Sequence, residues 1–115
     1  MAETPTCVWT GKSGKTYKYH IHPNPTNFSP NQDGNYIYAK IVNNAWVPIY
    51  FGQGCLSDRC SDAHHKAQCI ASKGATHIHE RVNDPEANRL LEEQDLLANY
   101  PQAYEPAGCN EKEGG

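Results

Sequence analysis

The chain has 115 residues, enough for one domain with a modest core and too few for two. Hydrophobic residues make up 37% of it and the formal net charge is −3, so bulk charge cannot hold nucleic acid and a local basic patch or another subunit would be needed. No apolar run approaches transmembrane length and Met1-Ala2-Glu3-Thr4-Pro5 is not a signal peptide, which makes a soluble, intracellular (cytoplasmic) protein the expectation.

From the N-terminus, residues 1 to 6 read as a loose end. Cys7 to Thr10 and Thr16 to His22 fit a small hairpin around the turn-rich Gly11-Lys12-Ser13-Gly14. Pro23 to Gly34, dense in Pro, Asn, Ser and Asp, reads as a loop. The strongest pattern comes next: strands at about 35 to 43 and 46 to 52, either side of a tight Asn43-Asn44 turn. Alternation puts Ile37, Ala39 and Ile41 on the core face of the first strand, and Tyr36, Tyr38 and Lys40 on the other. In the second strand Val47, Ile49 and Phe51 face the core, while Tyr50 and Gly52 face away. Phenols therefore gather on a non-core face, either as a reaction surface or because tyrosine suits half-buried strands. Pro48, lacking an N–H, pushes the second strand toward a sheet edge.

A helix from Ser57 or Ser61 to about Ser72 carries a narrow apolar stripe (Cys60, Ala63, Ala67, Ile70, Ala71), with Ser57 as N-cap and Gly74 as stop. Thr76 to Val82 alternates as a third strand, Ile78 and Val82 on one side, His77, His79 and Arg81 on the other. Asn83-Asp84-Pro85-Glu86 marks a helix start, with an aspartate cap, proline in the first turn and acids at the positive end of the dipole. That helix carries Ala87, Leu90, Leu91, Gln94, Leu97 and Ala98 and ends before Pro101. Tyr100 to Cys109 reads as irregular and residues 111–115 as a frayed tail. The order predicts one small α/β domain: a mostly antiparallel sheet of three strands flanked by helices, with an N-terminal hairpin extension.

This order, with these residues at these points, resembles the GIY-YIG nuclease superfamily. The first motif falls on Tyr36-Ile37-Tyr38, with a tyrosine where the family has its leading glycine. The second falls on Tyr50-Phe51-Gly52, followed by Gln53-Gly54. Arg59, Glu93 in Leu90-Leu91-Glu92-Glu93-Gln94-Asp95-Leu96-Leu97, and Asn110 after Pro106-Ala107-Gly108-Cys109 match the family's arginine, glutamate and closing asparagine. The likeness spans residues 34–110 and leaves residues 1–33 outside it. Glu92 competes with Glu93, which is preferred because leucines follow it at the third and fourth positions.

The resemblance implies a metal-dependent endonuclease that hydrolyses phosphodiesters of double-stranded or branched DNA, with Mg²⁺ (or Mn²⁺) as cofactor. Targeting could rest on the domain itself, on a homodimer or on a delivery partner. Tyr38 would activate the water with Tyr50 as supporting hydroxyl, since a phenol of pKa about 10 needs a neighbour to stabilise its phenolate. Tyr36, Lys40 and Gly52 would adjoin the substrate, and Arg59 would grip a nonbridging phosphate oxygen. Glu93 would hold the ion, because Mg²⁺ keeps its waters and needs only one or two protein carboxylates. Asn110 would orient the ion's water shell or close the pocket. His64 and His65 follow Arg59 roughly where the family carries a histidine. On one continuous helix, however, five residues turn by about 140°, which sets His64 off the arginine's face as a reserve acid or base. A non-cutting binding module on the same fold is the alternative.

Cys55, Cys60, His64, His65 and Cys69 crowd one stretch, but their gaps are wider than paired zinc spacing and lie largely on one helix. They read as small core residues. With five cysteines and no export signal, reduced thiols are expected rather than a disulfide framework.

Overall fold

The computed structural model describes residues 4–61, 64 and 66–111. His65 lies outside the described residues. The described residues form five strands: β1 (Thr6–Thr10), β2 (Thr16–Pro23), β3 (Asp33–Val42), β4 (Ala45–Cys55) and β5 (His77–Val82). Three helices, α1 (Leu56–Arg59), α2 (Ala67–Ser72) and α3 (Glu86–Asn99), precede a 3-10 turn at Pro101–Ala103. The sheet is antiparallel throughout, in the order β1-β2-β5-β3-β4. An α/β domain around an antiparallel sheet is thus as expected, but three strands become five. The N-terminal hairpin joins the sheet because β2 pairs with β5, from His20↔Glu80 to Pro23↔His77. Among the described residues no helix is long and apolar enough to cross a membrane.

The β3–β4 hairpin turns on Asn43 (φ 52°) and Asn44 (φ 64°), both in the left-handed region that a two-residue hairpin demands and asparagine tolerates. β4 lies at the sheet edge, where Pro48 costs no ladder bond. A β-bulge interrupts the pair: Tyr38 faces Tyr50 and Ala39 faces Pro48, so Ile49 is left over. The bulge overturns the strict alternation expected for β4, because Ile49 joins the cluster beneath Tyr36 and Tyr38 while Phe51 packs on the opposite side. Its released carbonyl accepts the Cys109 N–H at 2.8 Å.

Both faces of β3 are covered, which corrects the expectation of an open tyrosine face. Ile37 and Ala39 pack with Trp9, Tyr19, Phe51, Leu96 and Leu97 under α3. Tyr36 and Tyr38 pack with Ile49, Ile78, Leu56, Cys60, Ile70 and Cys109 under α1, α2 and the C-terminal segment. Ile41, expected in the core, is 52% exposed because neither layer reaches the hairpin tip.

The single helix expected from Ser57 or Ser61 to Ser72 is two short ones. α1 ends as Cys60 leaves helical geometry (φ −96°, ψ 53°), and its thiol enters the core beside Ile70 of α2. Of the stripe that looked like one helix face, Cys60 at the end of α1 and Ile70 of α2 are buried, Ala67 is half-buried, Ala71 is exposed and Ala63 lies outside the described residues. Ser57 does not cap; its hydroxyl lies 3.4 Å from the Cys55 sulfur. Asp84 does not cap α3 either: its carboxylate accepts Arg89 Nη1 at 2.9 Å.

Apart from Leu97, α3 docks through residues the apolar pattern did not mark. Its buried residues are Arg89, Glu92, Leu96 and Leu97, while Leu90 and Leu91 are exposed. Glu92 accepts hydrogen bonds from Tyr19 Oη (2.5 Å), Arg81 Nε (2.9 Å) and Asn83 Nδ2 (3.2 Å). Arg89 Nε donates to Gln53, and the Arg89 carbonyl accepts from Asn35 Nδ2. Saturated in this way, buried polar groups are tolerated and fix the helix in place.

The expectation of reduced thiols is corrected in part. Cys69 and Cys109 form a disulfide across 40 residues, and Cys7, Cys55 and Cys60 carry thiols. The bond fastens α2 to the C-terminal segment, a pairing that spacing within the chain does not signal.

Candidate active site

A cleft of about 490 Å³ opens beside the edge strand β4, lined by Tyr50, Lys66, Glu93, Gln94, Asn110 and Glu111 among others. β4 delivers Tyr50, α3 delivers Glu93, and the chain between α1 and α2 delivers Lys66. The C-terminal segment closes the far wall. Asn110 is pinned there from both sides of its amide: its Oδ1 accepts the Phe51 N–H and its Nδ2 donates to the Phe51 carbonyl, each at 2.9 Å. It therefore cements the wall to β4 as well as lining the cleft.

Glycines shape the ground beneath. A Cβ at Gly52 would run into the Tyr36 ring, so this glycine gives the buried phenol its room. Gly54 (φ +135°) takes a conformation that L side chains rarely adopt, and a Cβ there would come within 3.0 Å of Arg59 Nε. The guanidinium stem thus lies along the end of β4, near enough that its charge acts on both Tyr36 and Tyr50.

Tyr36 and His64 form the buried centre of the tyrosine cluster. Tyr36 Oη lies 2.7 Å from His64 Nε2. The Tyr36 ring stacks on Tyr50 (centroids 6.1 Å, interplanar angle 25°) and meets Tyr38 edge-on at 5.9 Å. His64 also stands 5.0 Å from the Tyr50 ring, nearly perpendicular. The break between α1 and α2 makes this possible, and so corrects the argument that five helical residues would turn His64 away.

The phenols differ in their ease of ionisation. Burial, then the neighbouring Tyr50 and Cys60, drives Tyr36 far above the usual phenol range. Tyr50 is raised by partial burial and then by the Glu93 carboxylate, while Arg59, Lys66 and a hydrogen bond from Tyr36 pull it back down. Burial lifts the Cys60 thiol to about 12, which makes it a core group and not a nucleophile.

The remaining expected site residues lie elsewhere. Tyr38, 5% exposed, borders a separate cavity of about 110 Å³ with Asn24, Cys60 and Ile70. Lys40 Nζ donates to the Lys73 carbonyl at the end of α2, at 3.0 Å. Glu92, the rival of Glu93, is held in the network under α3. Lys66 lines the cleft as well. Its ammonium bridges Glu105 (3.2 Å) and Glu111 (3.0 Å) of the C-terminal segment, contacts that hold it charged. No local motif marks it, because its neighbours come from the far end of the chain.

No protein-family model, curated protein or solved structure matches this chain. Among the described residues no group of three or more His, Cys, Asp or Glu side chains is placed to hold a metal ion. Two carboxylates line the cleft, Glu93 and Glu111, the latter paired with Lys66. That donor set does not suit zinc, which takes several protein ligands, but it is compatible with Mg²⁺ or Mn²⁺ retaining water and substrate oxygens.

Proposed function

We propose that this protein is a GIY-YIG-type endonuclease that hydrolyses DNA phosphodiester bonds at the cleft between β4, α3 and the C-terminal segment. The observation that carries this reading is the meeting of Tyr50 and Glu93, from distant parts of the chain, in one cleft with Lys66, while Arg59 lies close enough to act on the same phenol. Phosphodiester hydrolysis needs a proton acceptor for the attacking water, positive charge against the phosphoryl oxygens, and relief for the leaving oxygen.

In this reaction Tyr50, once it has lost its own proton to solvent and become a phenolate beside Arg59 and Lys66, takes the water's proton, because it is the tyrosine of the cluster that lines the cleft. Tyr38 supports the tyrosine layer from its own cavity, which exchanges the roles that the family likeness assigns to the two. Arg59 and Lys66 hold the phosphoryl oxygens, Arg59 through its planar donor fork and Lys66 as a point charge. Glu93 is the carboxylate that would bind Mg²⁺ or Mn²⁺, and the bound ion would supply charge neutralisation at the phosphate. Asn110 fixes the wall against which the strand is read. With a net charge of −3, and with Lys66 paired to Glu105 and Glu111, affinity for DNA rests on release of those pairs, on Arg59, or on a second subunit or partner.

The test is cleavage of duplex, single-stranded and branched DNA in Mg²⁺ or Mn²⁺ by wild type, Glu93→Ala and Arg59→Ala. Wild type cuts at least one substrate; Arg59→Ala loses about two to three orders of magnitude in rate, and Glu93→Ala falls to background. No metal-dependent cutting of any substrate refutes the enzyme reading. The burial of Tyr38 and the tyrosine at the first-motif glycine position favour the second reading, a binding module on this fold, in which DNA is retained but never cut.

A further inference from the structure

Helix α2 and the C-terminal segment are joined by fasteners of unequal strength. At the start of α2 the Lys66 ammonium bridges Glu105 (3.2 Å) and Glu111 (3.0 Å). In the middle Cys69 is bonded to Cys109, and just past the end Lys73 Nζ donates to the Pro106 carbonyl at 2.6 Å. Ion pairs with an exposed partner contribute about 0–1 kcal/mol each, so the covalent bond decides whether helix and segment stay together. The consequence falls on the cleft. Lys66 lines it, but its side chain is 13% exposed and lies between two carboxylates that neutralise it. A phosphate must displace them. The segment's own hold on β4, through Asn110 with Phe51 and through the Cys109 N–H with the Ile49 carbonyl, does not pass through sulfur.

The two sulfurs are not equally accessible. Cys109 is completely buried, whereas Cys69 is half-buried and lines a surface depression of about 480 Å³ with Gln68, Ser72, Lys73 and Glu105 among others. A thiolate arriving from solvent therefore meets Cys69 and not Cys109. We propose that the Cys69–Cys109 bond is a redox switch on the cleft: a dithiol reductant opens it at Cys69, α2 parts from the C-terminal segment, and Lys66 exchanges Glu105 and Glu111 for a phosphate of the nucleic acid. The inference rests on the reading of the cleft as a DNA site. In the first step a reductant thiolate bonds to Cys69 Sγ, the S–S bond breaks, and Cys109 leaves as a thiolate that takes a proton from water. The reductant's second thiolate then attacks the reductant sulfur of the mixed disulfide, and Cys69 leaves and is protonated in turn. The protein has gained two electrons and two protons, and the reductant departs as a disulfide.

The experiment compares the oxidised protein with protein reduced by dithiothreitol under native conditions, the fold of each checked by its thermal transition. Glutathione, a monothiol probe, is expected to be captured on Cys69 and not on Cys109, as read by mass spectrometry of the digested protein. Acylation of Lys66 by an amine-selective reagent rises several-fold on reduction. A labelled DNA duplex, kept free of divalent ions so that it stays intact, binds the reduced form about tenfold more tightly, with a salt dependence steeper by about one ion. Oxidised Glu105→Gln/Glu111→Gln has that affinity from the start and reduction adds nothing to it, while Lys66→Gln binds weakly and equally in both states. Where DNA is bound, equal affinity of the two folded forms overturns the inference, as does Lys66 acylation unmoved by reduction. A bond that yields to reductant only after unfolding, or a reduced form that loses its fold, overturns it too, because the bond is then structural. Capture at Cys69 with a rise in Lys66 acylation, in a protein that binds no DNA in either state, upholds the switch and removes the nuclease reading instead.

Discussion

On one side of α3, Glu92 is sealed against the sheet with three donors on its carboxylate; on the other, its neighbour Glu93 lines a cleft whose opposite wall is the C-terminal segment. The two residues are the same chemistry one position apart. Glu92 is 3% exposed, and its partners come from β2, β5 and the loop after β5, so its charge serves to seat the helix. Glu93 shares space with Tyr50 and Lys66, where a carboxylate alters the ionisation of a phenol. The lesson is that a helical acid is read by what reaches it from other elements and not by its neighbours in the chain. A one-residue rotation of α3 would exchange the two fates.

The cleft side depends on a covalent fastening that the Glu92 side lacks, and the largest expected effect tests this. Cutting the Cys69–Cys109 bond with a Cys69→Ala/Cys109→Ala double variant releases a loop of 40 residues in the unfolded chain and should cost about 4 kcal/mol by loop entropy. Urea denaturation measures that loss. Amide exchange should quicken first at Phe51 and Asn110, whose mutual hydrogen bonds the segment holds in place, and later at Tyr19 beneath Glu92. Equal quickening on both sides would erase the distinction drawn here.

Smaller in size but sharper in contrast is the pair of alanine substitutions at the two acids. Glu92→Ala strands the Tyr19 hydroxyl and uncouples Arg81, at a cost of about 3 kcal/mol, toward the low end for a buried pair because Arg81 is partly exposed. Glu93→Ala should stay within about 0.5 kcal/mol of wild type in the same denaturation experiment. A large loss of stability at Glu93 would make it a second structural acid and empty the cleft of its proposed purpose.

The smallest effect concerns the apolar face. His79 is buried there, accepting the Trp9 indole N–H at 3.0 Å with the Trp46 ring 4.4 Å away, and burial, followed by the charges of His77 and His22, pulls its pKa from 6.5 down to about 4. The unfolded chain then binds a proton that the folded one refuses. Stability from this source is complete above pH 6.5 and drains away as the pH falls toward 4. The thermal midpoint of wild type should therefore drop by a few degrees more than that of His79→Gln across this window. Parallel curves for the two proteins would show that His79 carries no such linkage.

Much of the local structure was legible. The asparagine turn, the strands around it, the edge position implied by Pro48, the third strand at β5 and the long C-terminal helix all follow from period, turn chemistry and proline geometry, which act within a few residues. The candidate site was partly legible: Tyr50, Arg59, Glu93, Asn110 and His64 were named, and Tyr50, Glu93 and Asn110 line one cleft. The ion pairs of Lys66 were not, since Glu105 and Glu111 lie some forty residues away.

Sequence by itself determined which segments extend, which coil and where the chain must turn, because those preferences are set by backbone sterics and side-chain period. Only the tertiary structure decided that the N-terminal hairpin joins the sheet, that both faces of β3 are covered, that a bulge swings Ile49 beneath the tyrosines, and that Glu93 rather than Glu92 meets Tyr50. Those outcomes are choices among partners. A pattern of apolar and polar residues states what must be buried or satisfied, but the group that does so is selected only when distant segments compete for the same space.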